Sequence, residues 1–437
     1  MGANQGHPSS AGRPQDPGGR RAFRALAAAG AVLAVVLLLA VRARLGQPAT
    51  PQPGAPGPGV QAGPSPATVR FDVAVPVAFL MDAETGQVLF AKGADEPVHP
   101  ASIVKVMTML VALDAVERGL VSLSDPVRIT REAEAMGGSQ VYLRAGETWP
   151  LEKLLRAVAI SSANDAAVAV AEHVAGTEGA FVELMNRRAR ELGARATRFT
   201  NSHGLPPQGN NQDPNLTTAR DIALMARELI RRHPQVLQWT SVRRELFREQ
   251  PPFYLENTNH LIGRYPGADG LKTGYTQDAG YSVVATAMQG DRRLIAVVMR
   301  ADSDATRVEQ AERLFEFGFR AYRPVVVALE GERVGTLRLR QAQPEQVPVR
   351  AAQTLRVLTF GGEAREATRR LEFREGLRPP LKEGEQVGWV VGLVGGQEVA
   401  RVPVVLEQAM GRAAAPQIIW RWLRDALGAL IPGATGG

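Results

Sequence analysis

Ser102 and Lys105 stand three positions apart in the segment PASIVK, residues 100–105. The apolar positions that follow recur at helical spacing as far as Gly119, so Ser102 is predicted in the first turn of a helix. Residues three apart on a helix share a face, where a hydroxyl and an amine can touch. The pair therefore offers a serine nucleophile beside a candidate base, although the same spacing also occurs at ordinary helix starts.

Two further segments carry side chains suited to the same chemistry. Ser162-Ala-Asn164 lies between two helical patterns, and Lys272-Thr-Gly274 precedes a strand pattern. The chain has only five lysines among its 51 Lys and Arg residues, and two of the five, Lys105 and Lys272, fall in these three motifs. A lysine can serve as a neutral base but an arginine cannot. The three segments together predict an acyl-transfer site built on a serine.

The composition sets limits on the rest of the chain. Its 437 residues suffice for two domains with sizeable cores. The formal charge of +7 allows attraction to anionic wall polymers or lipid head groups, and a simple arginine-rich surface is the alternative. Because the chain has no cysteine, disulfide frameworks, thiolate metal sites and cysteine nucleophiles are excluded.

The amino-terminal segment has the pattern of an export signal. Residues 1–45 combine arginines with an uncharged apolar run of 17 residues, Ala25–Val41, which is typical of a signal peptide or a signal anchor. A helix of this length spans about 25 Å, short of a hydrocarbon core of roughly 30 Å, so both a cleaved leader and a retained anchor stay open. Residues 46–68 carry seven prolines and are predicted to form a semi-extended linker.

The remainder is predicted to form two domains and a terminal helix. Residues 69–323 have strand patterns at both ends and helical patterns between them, which favours an α/β sandwich. Residues 324–407 hold short β-like runs between Gly, Pro and charged turns, typical of a small all-β domain. Residues 416–431 are amphipathic, and the apolar face comprises Ile418, Ile419, Trp422, Leu423, Ala426, Leu427 and Leu430. We interpret this helix as an interfacial membrane anchor; the alternative is a helix docked on the β domain.

With these motifs, the chain from about Phe71 to Leu406 resembles the D-alanyl-D-alanine carboxypeptidases of the low-molecular-mass penicillin-binding proteins. The likeness extends to Gly137-Gly138-Ser139-Gln140, Phe181-x-x-x-Met185-Asn186, Asn201-x-x-Gly204-Leu205, Thr218-Ala219-x-Asp221, Asn257-x-Asn259 and Gly270–Gly274. The resemblance implies an α/β penicillin-binding and β-lactamase-like transpeptidase domain, with an antiparallel sheet between helices, followed by a small all-β domain.

The resemblance also implies roles for the motif residues. Ser102 attacks the carbonyl of the terminal D-Ala-D-Ala bond and becomes the acyl-ester, and Lys105 takes its proton as a neutral amine. Burial and the nearby charge of Lys272 would keep Lys105 neutral. Ser162 relays the proton to the leaving amine, and Asn164 binds the peptide.

The remaining roles concern the carboxylate and the oxyanion. Lys272 and Thr273 would hold the terminal carboxylate with help from Arg307, and Gly274 would let the strand approach the substrate. The backbone N–H groups of Ser102 and Tyr275 would form the oxyanion hole. Many members of the family have histidine where Tyr275 stands, a change that a backbone role survives.

The sequence therefore predicts a carboxypeptidase that trims peptidoglycan stem peptides and is acylated by β-lactam antibiotics. A DD-endopeptidase or a β-lactamase using the same chemistry stays open, as does a penicillin-binding scaffold without turnover. A class A β-lactamase also needs a deacylating glutamate, usually in a Glu-x-x-Leu-Asn pattern after the second motif. The only near match in this sequence, Glu183-Leu184-Met185-Asn186, does not have that pattern. The expected partners are stem peptides, β-lactams and a membrane surface at the outer face of the cytoplasmic membrane. No nucleic acid, cofactor or metal ion is expected.

Overall fold

A computed structural model describes residues 71–206 and 213–430, so the predicted leader (1–45) and linker (46–68) lie outside the described residues. The helices are α1 Lys105–Glu117, α2 Arg131–Glu134, α3 Leu151–Ile160, α4 Asn164–Ala175, α5 Glu178–Glu191, α6 Ala219–Arg232, α7 Val236–Thr240, α8 Asp304–Ala321 and α9 Ala415–Leu430. The strands are β1 Val77–Asp82, β2 Val88–Lys92, β3 Pro126–Arg128, β4 Thr148–Pro150, β5 Arg244–Glu249, β6 Pro252–Glu256, β7 Ala268–Thr276, β8 Gly280–Gln289, β9 Arg292–Ala301, β10 Tyr322–Ala328, β11 Arg333–Arg338, β12 Ala342–Gln343, β13 Gln346–Ala351, β14 Leu355–Phe360, β15 Ala367–Phe373, β16 Gln386–Val394, β17 Gln397–Leu406 and β18 Gly411–Arg412.

An antiparallel sheet in the order β2-β1-β9-β8-β7 forms the centre of the first domain. Phe79 of β1 packs on one face into a core built mainly from helices, and Leu80 packs on the other face into a core that includes Phe315 of α8. Both faces are covered, which explains why β1 is a continuous apolar run instead of an alternating one. The predicted antiparallel sheet between helices is confirmed.

The nucleophile motif differs from the simple helix start predicted for it. Ser102 lies in a 3₁₀ turn, Ala101–Val104, and Lys105 is the first residue of α1. Ala101 has a left-handed φ of 48°, which is strained for a residue with a Cβ atom. Side chains three apart are eclipsed in a 3₁₀ turn, so the hydroxyl and the amine still face each other.

The second domain consists of strands, as predicted. Its main sheet has the order β11-β13-β17-β16-β15, and β10 pairs with β14 beside it. The strand patterns of the sequence do not include β13, which contains Pro348, or β15, whose centre is charged and exposed. Gln87 of the first domain exchanges two hydrogen bonds with the backbone of Leu358, at 2.6 and 2.8 Å, and so ties the domains together.

The terminal helix α9 contacts the β domain through its polar face. Arg421 donates to the carbonyl oxygen of Arg340 at 2.9 Å and pairs with Glu345 at 3.2 Å. Ile419, Trp420 and Trp422 stay 61–67% exposed. The helix α9 therefore docks on the β domain and also keeps these apolar side chains exposed, so it has features of both alternatives that the sequence left open. Within the described ranges, no helix has both the length and the apolar character required to cross a bilayer.

Candidate active site

The amine of Lys105 is the centre of the candidate site. Its Nζ lies 2.9 Å from Ser102 Oγ and donates to Asn164 Oδ1 and to the carbonyl oxygen of His203, both at 2.6 Å. The Lys105 side chain is fully buried. The Ser-x-x-Lys and Ser-x-Asn motifs therefore meet at one nitrogen. The segment around His203 also reaches this nitrogen, but only through its backbone.

Two buried lysines, Lys105 and Lys272, are close enough in this site for the charge of one to affect the other. Burial and then the charge of Lys272 lower the pKa of Lys105 well below its ordinary value, although Asp165 acts in the opposite direction. Burial and the charge of Arg307 lower the pKa of Lys272 to about 7. In both cases the cause is the cost of keeping an ammonium away from water beside another cation.

The Ser-x-Asn motif lies where α3 ends and α4 begins. Ser162 has a left-handed φ of 62°, and its buried Oγ has no hydrogen-bond partner among the described residues. Asn164 donates through Nδ2 to the carbonyl oxygen of Gly137 at 2.7 Å, and its backbone N–H donates to that of Ser139. A strained backbone with an unpaired hydroxyl is expected where a side chain is held for chemistry, not for stability.

The apolar residues 141–143, which follow Gly137-Gly138-Ser139-Gln140, have the pattern of a strand in the sequence but do not form one. Residues 141–143 have no regular structure, because the buried carboxylate of Asp165 accepts from the backbone N–H groups of Val141 and Leu143. Burial raises the pKa of Asp165, although these hydrogen bonds oppose the shift. Asp165 therefore replaces a neighbouring strand as the partner of this backbone and fixes the loop beside Asn164.

The Lys-Thr-Gly motif lies on β7, at the edge of the central sheet. A Cβ atom on Gly274 would lie 2.8 Å from the carbonyl oxygen of Pro100 and 3.1 Å from Ile103 Cγ1. Glycine is therefore required for the close approach of β7 to the turn that carries Ser102. Gly274 therefore has a structural role in addition to its predicted role of letting the strand approach the substrate.

Tyr275 and Arg307 flank the end of β7. Tyr275 is 54% exposed, and the centroid of its ring lies 4.2 Å from that of Tyr281 on β8. Arg307 Nη1 donates to the carbonyl oxygens of Gly274 and Ser282, each at 3.2 Å. All nine predicted site residues thus fall on the 3₁₀ turn, the start of α1, the α3–α4 junction, β7 and the facing end of α8.

Three contributors to the site had no role assigned from the sequence. His203 orients Lys105 through its carbonyl oxygen, and Gly204 packs so closely that a Cβ atom there would lie 2.0 Å from the carbonyl oxygen of Ala101. Thr258 Oγ1 lies 2.6 Å from Thr273 Oγ1. The motifs around Asn201 and Asn257 are visible in the sequence, but their contacts depend on packing between segments far apart in sequence.

One further group of ligand-type side chains lies on α1 and after α6. The ligand atoms of Asp114, Glu117 and His233 lie within 4.8 Å of one another. Asp114 is already paired with Arg188 at 2.8 Å and with His233 at 2.8 Å, and Arg232 binds Glu117. We interpret this group as an ion-pair network between helices.

Comparison with known proteins matches both domains. Residues 63–303 match the family described as D-alanyl-D-alanine carboxypeptidase, and residues 322–412 match the C-terminal domain of penicillin-binding protein 5. The chain is similar to the D-alanyl-D-alanine carboxypeptidase DacF of Bacillus subtilis, with 34% identity over 80% of this chain and 89% of the relative.

Solved structures give the same result. Penicillin binding protein 5 from Haemophilus influenzae aligns with a TM-score of 0.68 and 29% identity, over 80% of this chain and 100% of that one. Penicillin-Binding Protein D2 from Listeria monocytogenes, in an ampicillin-bound form, aligns with a TM-score of 0.52 and 31% identity, over 57% of this chain and 99% of that one. The two-domain architecture is therefore shared with solved penicillin-binding proteins.

Proposed function

The chain belongs to the D-alanyl-D-alanine carboxypeptidase family, and we propose how its own residues carry out that reaction and where the enzyme acts. It is a serine-type carboxypeptidase that removes the terminal D-alanine from peptidoglycan stem peptides through an acyl-enzyme, and it is a penicillin-binding protein. The ampicillin-bound relative supports acylation by β-lactams. The assignment of each residue below is our proposal.

In the acylation step Lys105 acts as the base for Ser102. A neutral amine has two N–H donors and one lone pair, and Lys105 has two carbonyl-type acceptors, on Asn164 and His203, besides Ser102 Oγ. The lone pair accepts the hydroxyl proton as Ser102 Oγ attacks the peptide carbonyl. The C–N bond breaks, D-alanine leaves with a proton relayed through Ser162, and water later hydrolyses the ester.

The oxyanion is stabilised by two backbone N–H groups. Those of Ser102 and Tyr275 belong to the turn and the strand that Gly274 allows into contact. Donors fixed in this way do not have to reorganise when charge develops on the oxygen. Asn164 binds the peptide through its amide.

Recognition of the free carboxylate distinguishes a carboxypeptidase from an endopeptidase. Lys272 and Thr273 hold this carboxylate, and Arg307 assists through its planar guanidinium. The single observation that carries the mechanism is the 2.9 Å contact of the fully buried Lys105 with the partly exposed Ser102, beside the buried Lys272.

Mass spectrometry of a muropeptide digest tests the reaction directly. We expect pentapeptides to lose one terminal D-alanine while cross-links stay intact, because the proposed carboxylate site is suited to the terminal D-alanine of a stem peptide. Loss of cross-linked dimers at a comparable rate would indicate an endopeptidase instead.

We also propose that the enzyme acts at the outer face of the cytoplasmic membrane. The apolar amino-terminal run supports export, and the exposed Ile419, Trp420 and Trp422 of α9 support attachment to the membrane surface. Deleting everything after Ala415 should release the mature enzyme into the soluble fraction with unchanged activity. Retention of the truncated form in membranes would assign attachment to the amino-terminal run, and sequencing of the mature amino terminus would identify it.

A further inference from the structure

A carboxylate bridges a surface histidine and the buried Arg307. His260 Nδ1 lies 2.6 Å from Asp304 Oδ2, and Arg307 Nη2 lies 2.5 Å from Asp304 Oδ1. Asp304 is the first residue of α8, one turn before Arg307. His260 follows Asn259, whose amide donates to the carbonyl oxygen of Gly270 on β7 at 2.8 Å. The three side chains thus connect the loop before β7 to the carboxylate-binding end of the site.

The guanidinium of Arg307 is held on two sides and has a donor to spare. Its Nη1 donates to the carbonyl oxygens of Gly274 and Ser282, and its Cζ lies 5.5 Å from the centroid of the Tyr281 ring. The residue is only 6% exposed, and its buried Nε has no hydrogen-bond partner among the described residues. A buried, fixed guanidinium with an unused donor is suited to receive an anionic group.

We propose that Asp304, oriented by His260, is a positioning residue that holds Arg307 for the terminal carboxylate of the substrate. This inference rests on the carboxylate-binding role proposed above for Arg307. Among the described ion pairs, Asp304 is the acid that touches this arginine. Without it, Arg307 would face the buried Lys272 with no neighbouring negative charge, and repulsion would favour moving the guanidinium away.

The electrostatics of Asp304 agree with this role. Burial alone would raise its pKa, but the hydrogen bond from His260 and the charge of Arg307 outweigh burial and hold the pKa below its ordinary value. Asp304 therefore stays ionised over the range in which the enzyme binds an anionic substrate, and it stays paired with Arg307.

A second ion pair between the same two segments provides a control. Arg264 Nε lies 2.8 Å from Glu312 Oε1, which joins the same loop to α8 about two turns further along. Glu312 has no described contact with Arg307 or β7. If Asp304 merely fastened the loop to the helix, loss of either carboxylate would have a similar effect.

The test compares hydrolysis of an acyl-D-Ala-D-Ala peptide with that of its carboxamide by the full-length enzyme and its variants, with penicillin titration of the active fraction. We expect Asp304→Asn to raise KM for the acid peptide by about tenfold and to leave the amide rate unchanged, since the ion pair that fixes Arg307 is lost. His260→Ala should give a smaller change in the same direction, and His260→Gln, which keeps a donor, should restore part of it. Glu312→Gln should match the wild type.

The outcomes separate this inference from the proposal beneath it. If Arg307→Gln lowers the acid-to-amide ratio but Asp304→Asn and His260→Ala do not, the positioning role is overturned and the role of Arg307 stands. If Glu312→Gln lowers the ratio as much as Asp304→Asn, the positioning role is also overturned. If Arg307→Gln leaves the ratio unchanged, both fall.

Discussion

Lys105 Nζ lies 2.9 Å from Ser102 Oγ, and no part of the lysine side chain is exposed to solvent. Proximity alone would make the pair an ordinary hydrogen bond. Burial next to Lys272 turns it into a nucleophile and a base, because it favours the neutral amine. The fold creates this environment by packing α1, the start of α4 and β7 around one side chain.

The opposed requirements of the two lysines predict a bell-shaped pH profile. Lys105 must be neutral to act as a base, and its lowered pKa brings this form in well below pH 10.5 as pH rises. Lys272 must be charged to hold a carboxylate, and this charge is lost as pH rises through about 7. We expect kcat/KM for the acid peptide to fall on the alkaline side. The corresponding fall in kcat should occur at higher pH, because the bound carboxylate stabilises the Lys272 ammonium.

Lys272→Arg provides the control for that profile. A guanidinium stays protonated, so the alkaline limb near neutral pH should disappear, even if the altered geometry lowers the plateau. An alkaline limb at the same pH in this variant would assign it to a different group.

Gly204 is expected to be essential for acylation. Its φ is 89°, and a Cβ atom added by Gly204→Ala would lie 2.0 Å from the carbonyl oxygen of Ala101, so this substitution must displace the nucleophile turn. We expect the rate of penicillin acylation to fall by about tenfold or more. Gly193→Ala is the matched control, because Gly193 has a φ of 78° with nothing within 4 Å. It should lose about 1 kcal/mol of stability from backbone strain and acylate normally; equal rates in the two variants would contradict this argument.

The contact between Thr258 and Thr273 predicts a modest role in carboxylate binding. Thr258→Val leaves the Thr273 hydroxyl without its partner at 2.6 Å, so kcat/KM should fall by about three- to tenfold, in line with the loss of one hydrogen bond. Thr258→Ser keeps the hydroxyl and should recover most of the activity. Full activity in Thr258→Val, measured on the acid peptide, would show that this contact is dispensable.

The sequence predicted the parts of the site that depend on local spacing. Ser102 with Lys105, and Ser162 with Asn164, could be found because each pair lies within one turn or one helix junction. Family resemblance then supplied the order of the motifs and the place of Arg307.

The contributions of other residues depend on packing that no local pattern encodes. Every residue type has a backbone carbonyl oxygen, so the sequence could not single out that of His203. Only the structure connects it to Lys105. Residues 141–143 have an apolar pattern that suggests a strand, but the carboxylate of Asp165 provides the hydrogen-bond acceptors that a neighbouring strand would provide. In β13, Pro348 argues against a strand in the sequence, and one of the two neighbouring strands, β17, comes from a distant part of the chain.

The most direct test of the catalytic assignment is peptide mapping of the penicillin adduct on the wild type and on Ser102→Ala. We predict a single acyl adduct on the peptide that contains Ser102 in the wild type, and neither adduct nor D-alanine release in the variant. An adduct on any other peptide, or labelling that survives in Ser102→Ala, would contradict the proposed mechanism.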